Sequence, residues 1–316
     1  MKDHMKERFG GDDKFELYPP PPQCLNVELN NTCNQRCVFC SFHSPYVKNP
    51  AKPFHMSVDF AKKILDKAKE QGIGKKEIGL YSMGEALLHT GLEECVSYAK
   101  ELGCPYVFLT SNGTLATPDR MRSLIDAGLD SIRFSINAAD PDMYKKIHGT
   151  DHFNIVVENI KYLAEYRKQK NINISVSISS VITKKTKSNK RIIQEMFGNL
   201  VDEIIFIPVM DLSLLGNEIV EEYGIEQSVI KHGEPRICPM LFNSMYVGSN
   251  GNVRICCDSR AIDVTAGDLH EDMDLLKAWH SETMVHYRNL HLKGDIKNSV
   301  CYGCQMVERT VDDYFV

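Results

Sequence analysis

Long apolar runs are missing from this 316-residue chain, and their absence is the first constraint on its role. No stretch approaches the roughly 20 residues that a membrane-spanning helix needs. Met1 to Glu16 is polar and charged, without the apolar centre of a secretory signal, so a cytoplasmic location is expected. An excess of one charge is missing too: 37 basic against 42 acidic side chains leave a formal charge of −5. That balance disfavours a general nucleic-acid or anionic-membrane binder. Internal repeats and low-complexity tracts do not occur, and tryptophan appears once. Composition is otherwise that of a globular protein, 43% hydrophobic and 25% charged, with a sizeable core.

Cysteine is the exception to this scarcity. Eleven are many for a reducing compartment, where disulfides rarely persist and grouped thiols more often serve metals or catalysis. Cys33-x3-Cys37-x2-Cys40 forms one group. Cys238, Cys256, Cys301 and Cys304 form a second, and Cys24, Cys95 and Cys104 fit neither. Cys95 and Cys104 read as buried, inert thiols.

Periodicity places the groups. From residue 25 to 210, strands alternate with helices in six β/α units. The strands are expected at Leu25–Leu29, Glu77–Tyr81, Tyr106–Leu109, Ser131–Ile136, Ile172–Ile182 and Glu203–Val209. Helices are expected at Ser57–Glu70, Gly91–Leu102, Thr117–Ala127, Asn154–Lys168 and Asn189–Gly198. This α/β grammar predicts a parallel sheet closed by right-handed crossovers. Six units are too few for a full eight-stranded barrel, so a partial (β/α)6 TIM-like barrel is expected. Residues 1–24 form an extension ending in a proline run, and 211–235 read as a mixed, acidic linker. Residues 236–316 read as a small cluster-binding domain. It has a β-hairpin around Gly248-Ser249-Asn250-Gly251 and short helices at Asp272–His280 and Thr283–Leu292. Trp279 is its expected core anchor.

The first cysteine group follows the first strand, on the edge where β/α barrels place chemistry. Three thiolates on one loop can wrap three corners of a [4Fe–4S] cube and leave the fourth iron open. Four thiolates in the second group could close around zinc or around a complete cube, and spacing alone hardly separates the two. Cys257 abuts Cys256 and could replace it; Cys256 is preferred.

Cys33-Asn-Gln-Arg-Cys37-Val-Phe-Cys40 resembles the CxxxCxΦC signature of the radical S-adenosylmethionine (SAM) superfamily, with Phe39 at the aromatic position. Ser82-Met83-Gly84-Glu85 resembles that family's Gly-Gly-Glu motif for the methionyl amine of SAM, with Met83 replacing the first glycine. Ser135 and Asn137 resemble its ribose-binding position. The pattern CPM…GNVRICC…GD…AW…CYGC resembles the SPASM/twitch region, and the cysteine count fits the shorter twitch form with one auxiliary [4Fe–4S] cluster.

The resemblance implies reductive cleavage of SAM to a 5′-deoxyadenosyl radical and hydrogen abstraction from substrate. The single auxiliary cluster is similar to that of the twitch-type dehydrogenase that oxidises an aminocyclitol alcohol. Oxidation of an alcohol to a ketone is therefore expected, on a sugar, aminocyclitol or similar polar metabolite, with the electron passed to the auxiliary cluster. An epimerase or a peptide-modifying enzyme is the alternative, although the chain lacks room for the peptide-recognition domain of many peptide-modifying relatives. An electron donor such as flavodoxin or ferredoxin is the implied partner. His43 and His148 are weak candidates for the proton acceptor, chosen for their intrinsic pKa.

Overall fold

The computed structural model describes residues 15–209, 212, 215–224, 237–257, 263–302 and 304. Its centre is one nine-stranded sheet in the order β6-β5-β4-β3-β2-β1-β7-β8-β9. Strands β1 (Cys24–Val27), β2 (Glu77–Gly79), β3 (Val107–Ser111), β4 (Ser131–Ser135), β5 (Ser175–Ile182) and β6 (Glu203–Pro208) run parallel. Helices α1 (Val58–Glu70), α2 (Leu92–Glu101), α3 (Pro118–Asp126), α4 (Pro141–His148), α5 (Phe153–Lys170) and α6 (Lys190–Phe197) lie between them. This is the partial barrel that the alternating pattern implies.

Local chemistry sets the helix starts. Ser57 and Thr117 accept the backbone N–H of Phe60 and Arg120, and Pro118 occupies the first turn of α3, where its missing N–H costs nothing. Helix α4 obeys the same grammar. Asp140 caps it through Met143 N–H, Pro141 follows, and left-handed Gly149 (φ 70°) stops it. The sequence reading nonetheless passed over this helix.

The C-terminal region is not a free-standing hairpin. Helix α7 (Asn217–Tyr223) comes first, then a short α8 (Met240–Asn243) leading into β7 (Ser244–Val247), β8 (Asn252–Arg254) and β9 (Thr265–Asp268). β7 and β8 are the expected antiparallel hairpin, and β9 adds a third strand. β7 pairs in parallel with β1 along its whole length, so the hairpin continues the barrel's own sheet. Helices α9 (Leu275–Trp279) and α10 (Glu282–Lys293) complete the region. One apolar core runs from Leu25 through Phe134 and Ile178 to Trp279.

Trp279 is fully buried and donates Nε1–H to the carbonyl of Pro20, so the proline lead-in is pinned against α9. Arg288 lies over the Trp279 ring at 4.0 Å and donates to the carbonyls of Leu241 and Trp279. The expected linker 211–235 is described at 212 and 215–224. There Leu212, Leu215, Ile219 and Tyr223 pack on Val38 and Ile147, against the first cysteine loop. Part of the expected linker thus contributes to a second, small apolar cluster.

Candidate active site

The loop after β1 is bolted at both ends. Asn30 Oδ1 accepts the N–H and hydroxyl of Thr32, while Asn30 Nδ2 donates to the carbonyl of Glu85 at 3.0 Å. Glu85 N–H returns to the Thr32 carbonyl at 2.7 Å. Further on, the N–H groups of Arg36 and Val38 donate to the carbonyls of His148 and Ile147 at the end of α4. The loop is thereby clamped between the β2 edge and α4, with its thiols half-buried on one side.

Each thiol sulfur faces an N–H. Gln35 N–H donates to Cys33 Sγ and His43 N–H to Cys40 Sγ, each at 3.4 Å. Asn112 Nδ2 reaches Cys33 Sγ at 3.8 Å, and His148 Nδ1 lies 3.4 Å from Cys37 Sγ. Such donors favour a thiolate over a thiol. Burial acts in the opposite direction. It pushes Cys33 up to about 11, assisted by the charges of Glu85 and Cys40, and raises Cys37 and Cys40 as well. Three mutually repelling sulfurs with donors aimed at them suit a cationic iron group, whose binding releases their protons. The residues fit a [4Fe–4S] cluster.

Several expected contacts change meaning. His148 is fully buried and cannot serve as a substrate base. Its Nδ1 is 2.9 Å from Gln35 Oε1, and its Nε2 accepts the Asn137 N–H at 3.2 Å. The ring stacks on Tyr144, whose hydroxyl accepts from Gln35 Nε2 at 2.7 Å, and burial lowers the imidazole to about 3. Asn137 is buried beside it, with Oδ1 accepting the Val181 N–H at 2.6 Å, so its amide is engaged inside the fold. Ser135 remains half-buried at the end of β4.

Glu85 likewise points inward. Its carboxylate accepts from Ser111 Oγ, Asn112 N–H and Leu87 N–H, and burial raises its pKa. Its carboxylate oxygens are therefore engaged within the protein, beside the Ser82–Met83–Gly84 loop. Gly84 is required there, because a Cβ would lie 2.4 Å from the Asn30 carbonyl. Phe39 packs half-buried against the small apolar cluster beside the loop. His43 stays half-buried beside the same loop; burial lowers its pKa, and the nearby Glu28 charge opposes that.

In the C-terminal region Cys238 is buried, and its pKa is raised by that burial and then by Cys304, Cys301 and Cys257. Cys256 is half-buried, and together with Cys301 it lifts Tyr287, whose own burial is the larger cause. Exposed Cys257 thus stands within electrostatic reach of the group as well. Among the described residues no three His, Cys, Asp or Glu side chains gather closely enough to hold a single metal ion. Cys301, Cys304 and Cys257 are thus in electrostatic reach of Cys238, and cysteine thiols are the donor type that suits an iron–sulfur group. Cys95 and Cys104 are buried away from both groups.

Sequence reading missed Gln35, Tyr144 and Glu28, all polar groups at buried positions around the loop. For Glu28 a signal exists: it is the lone acid in the apolar strand run Leu25–Leu29. Among the described residues no helix is long and apolar enough to cross a membrane.

Known proteins share parts of this sequence and this fold. A "Probable GTP 3',8-cyclase" of Saccharolobus solfataricus is 29% identical over 201 residues, covering 63% of this chain and 61% of that one. The chain thus spans less than two thirds of that relative's length. Streptococcus suis SuiB bound to S-adenosylmethionine shares the fold at TM-score 0.61 and 16% identity, over 91% of this chain and 72% of that one. Its complex with precursor peptide SuiA gives 0.62 and 17%, over 91% and 70%. BtrN in complex with AdoMet and 2-DOIA gives 0.59 and 16%, over 94% of this chain and 100% of that one. An iron–sulfur cluster-binding SPASM domain matches residues 238–305, which implies auxiliary iron–sulfur binding there. With residues 27–195 matching the Radical SAM superfamily, the chain belongs to that superfamily and uses a [4Fe–4S] cluster and SAM.

Proposed function

We propose that the protein oxidises an alcohol carbon of a sugar, aminocyclitol or similar polar metabolite to a ketone, with the auxiliary cluster as electron acceptor. When bound, the cluster and SAM supply a 5′-deoxyadenosyl radical able to take hydrogen from an unactivated C–H bond. Cys33, Cys37 and Cys40 hold the first cluster. The carbonyls of Ser82–Gly84 orient the methionyl amine, and Ser135 meets the ribose. The chain's further part is aim and exclusion of water, through the apolar cluster of Leu212, Leu215, Ile219 and Tyr223.

The observation that carries this reading is the second thiol set. Cys238, Cys256, Cys301 and Cys304 offer four sulfur ligands, enough to saturate one cluster, which then exchanges electrons and leaves substrate unbound to iron. Loss of one hydrogen atom, one proton and one electron converts the alcohol to the ketone. His43 is the remaining candidate for the proton, and a flavodoxin or ferredoxin supplies the electron that starts the cycle. The matching length of BtrN, seen with AdoMet and 2-DOIA, supports a small polar substrate. Peptide modification is the second reading, favoured by the fold likeness to SuiB bound to its precursor peptide; epimerisation is a variant of the same start.

Anaerobic turnover with deuterated candidate alcohols tests the proposal. Deuterium in 5′-deoxyadenosine together with a ketone product is expected. Deuterium transfer with an inverted centre and hydrogen taken from solvent would establish epimerisation instead.

A further inference from the structure

Glu28 follows β1, the strand shared by the barrel and the C-terminal hairpin, and it has no solvent exposure. Its two carboxylate oxygens serve different parts of the molecule. Oε1 accepts the backbone N–H of Met83 at 2.7 Å. Oε2 accepts the Ser249 N–H, in the turn between β7 and β8, and Arg254 Nη2, both at 3.1 Å. Arg254 is itself buried, ends β8, and stands two residues ahead of Cys256. Gly248 makes room for it, since a Cβ there would sit 2.5 Å from Nη2. The Glu28 N–H adds a backbone bond to the Val247 carbonyl at 2.9 Å.

A buried ion pair is weak ground for stability, because desolvation offsets much of the attraction; fixing a register is its best-attested use. This pair has the geometry for that use. One oxygen fixes the loop on the β2 edge, the other fixes the strand that leads to the auxiliary thiols, and a carboxylate accepts in both directions at once. An amide in its place would turn its NH2 either toward the Met83 N–H or toward the Ser249 N–H and Arg254, so at least one of the three contacts would break. We propose that Glu28 and Arg254 form a positioning pair that sets the Ser82–Met83–Gly84 loop against the auxiliary hairpin, so that SAM binding depends on a residue of the other cofactor's region. The proposal rests on the reading of that loop as the methionyl contact.

The test uses anaerobically reconstituted protein carrying Glu28→Gln, Arg254→Gln, both, or Arg254→Lys. Iron and sulfide are counted, and the SAM dissociation constant is read from the change in the reduced cluster's EPR spectrum during titration. Each Gln variant is expected to keep its iron and to bind SAM about tenfold more weakly, the effect of roughly one lost hydrogen bond. The double variant, in which two amides can pair, is expected to recover to within about threefold of the parent. Parental affinity in Arg254→Gln, or losses that multiply in the double variant, would overturn the proposal. Should the Gln variants lose iron, Arg254→Lys retains the charge with a shorter reach. It must then weaken SAM binding at least threefold, and parental affinity there is equally fatal. Gly84→Ala separates the two readings. Unchanged SAM binding in it sinks the loop assignment, whereas binding lost in it but intact in the Arg254 variants sinks only the coupling.

Discussion

The two thiol groups are built in opposite ways. Cys33, Cys37 and Cys40 share one short loop, half-buried, with a ring or backbone nitrogen 3.4 Å from each sulfur. Cys238, Cys256, Cys301 and Cys304 come from separate stations, before α8, after β8 and beyond α10, and only the folded C-terminal region brings Cys301 and Cys304 near Cys238, and Cys256 and Cys301 near Tyr287. The first site takes all its thiols from one loop, which tertiary contacts then clamp; the second takes its thiols from distant parts of the chain. A metal at the second site therefore contributes to folding, whereas a metal at the first contributes mainly chemistry.

The sharpest way to break this contrast is to remove one thiol from each group. Cys37→Ala is expected to reduce 5′-deoxyadenosine formation by at least a thousandfold, measured under strong reductant, while thermal unfolding changes little. Cys301→Ala is expected to leave SAM cleavage measurable, to abolish ketone product, and to lower the unfolding midpoint. Equal stability losses from both would erase the distinction.

A smaller effect probes how far the C-terminal core stands without iron. Trp279 is fully buried under Arg288, so Trp279→Ala is expected to cost about 3–5 kcal/mol in urea unfolding of the iron-free protein. A cost below 1 kcal/mol would mean that this core forms only around its cluster.

The smallest effect concerns the first site. His148 is held neutral in the fold, its pKa lowered by burial from 6.5 to about 3. Below pH 6.5 the unfolded chain takes up a proton that the folded chain refuses, so stability is full above 6.5 and falls as pH drops toward 3. Between pH 7 and pH 5 the iron-free protein is expected to lose about 2 kcal/mol through this group. His148→Gln should lack that share of the slope, and an unchanged slope would refute the assignment.

The same contrast explains what could be read in advance. Six β/α units and the first thiol loop were legible because their signals are local: alternation, caps such as Thr117-Pro118, and three cysteines in eight residues. Helix α4 carried an equally local signal in Asp140-Pro141 and Gly149. Strand β9 and the pairing of β7 with β1 were not legible, because register between distant strands is decided by packing. His148 is a candidate by its intrinsic pKa, and Asn137 by its resemblance to a ribose-binding position. Only the fold shows their polar atoms turned toward Gln35 and Val181.

The place of β1 in the sheet also has a consequence for how the chain is made. Its partner on one side, β2, emerges from the ribosome soon after it, but its partner on the other side, β7, is some 220 residues downstream. At roughly 5–20 residues per second, that flank stays unpaired for on the order of ten to forty seconds in each round of synthesis. During this interval the nascent barrel carries an open backbone edge next to its cysteine loop, free to pair with another strand.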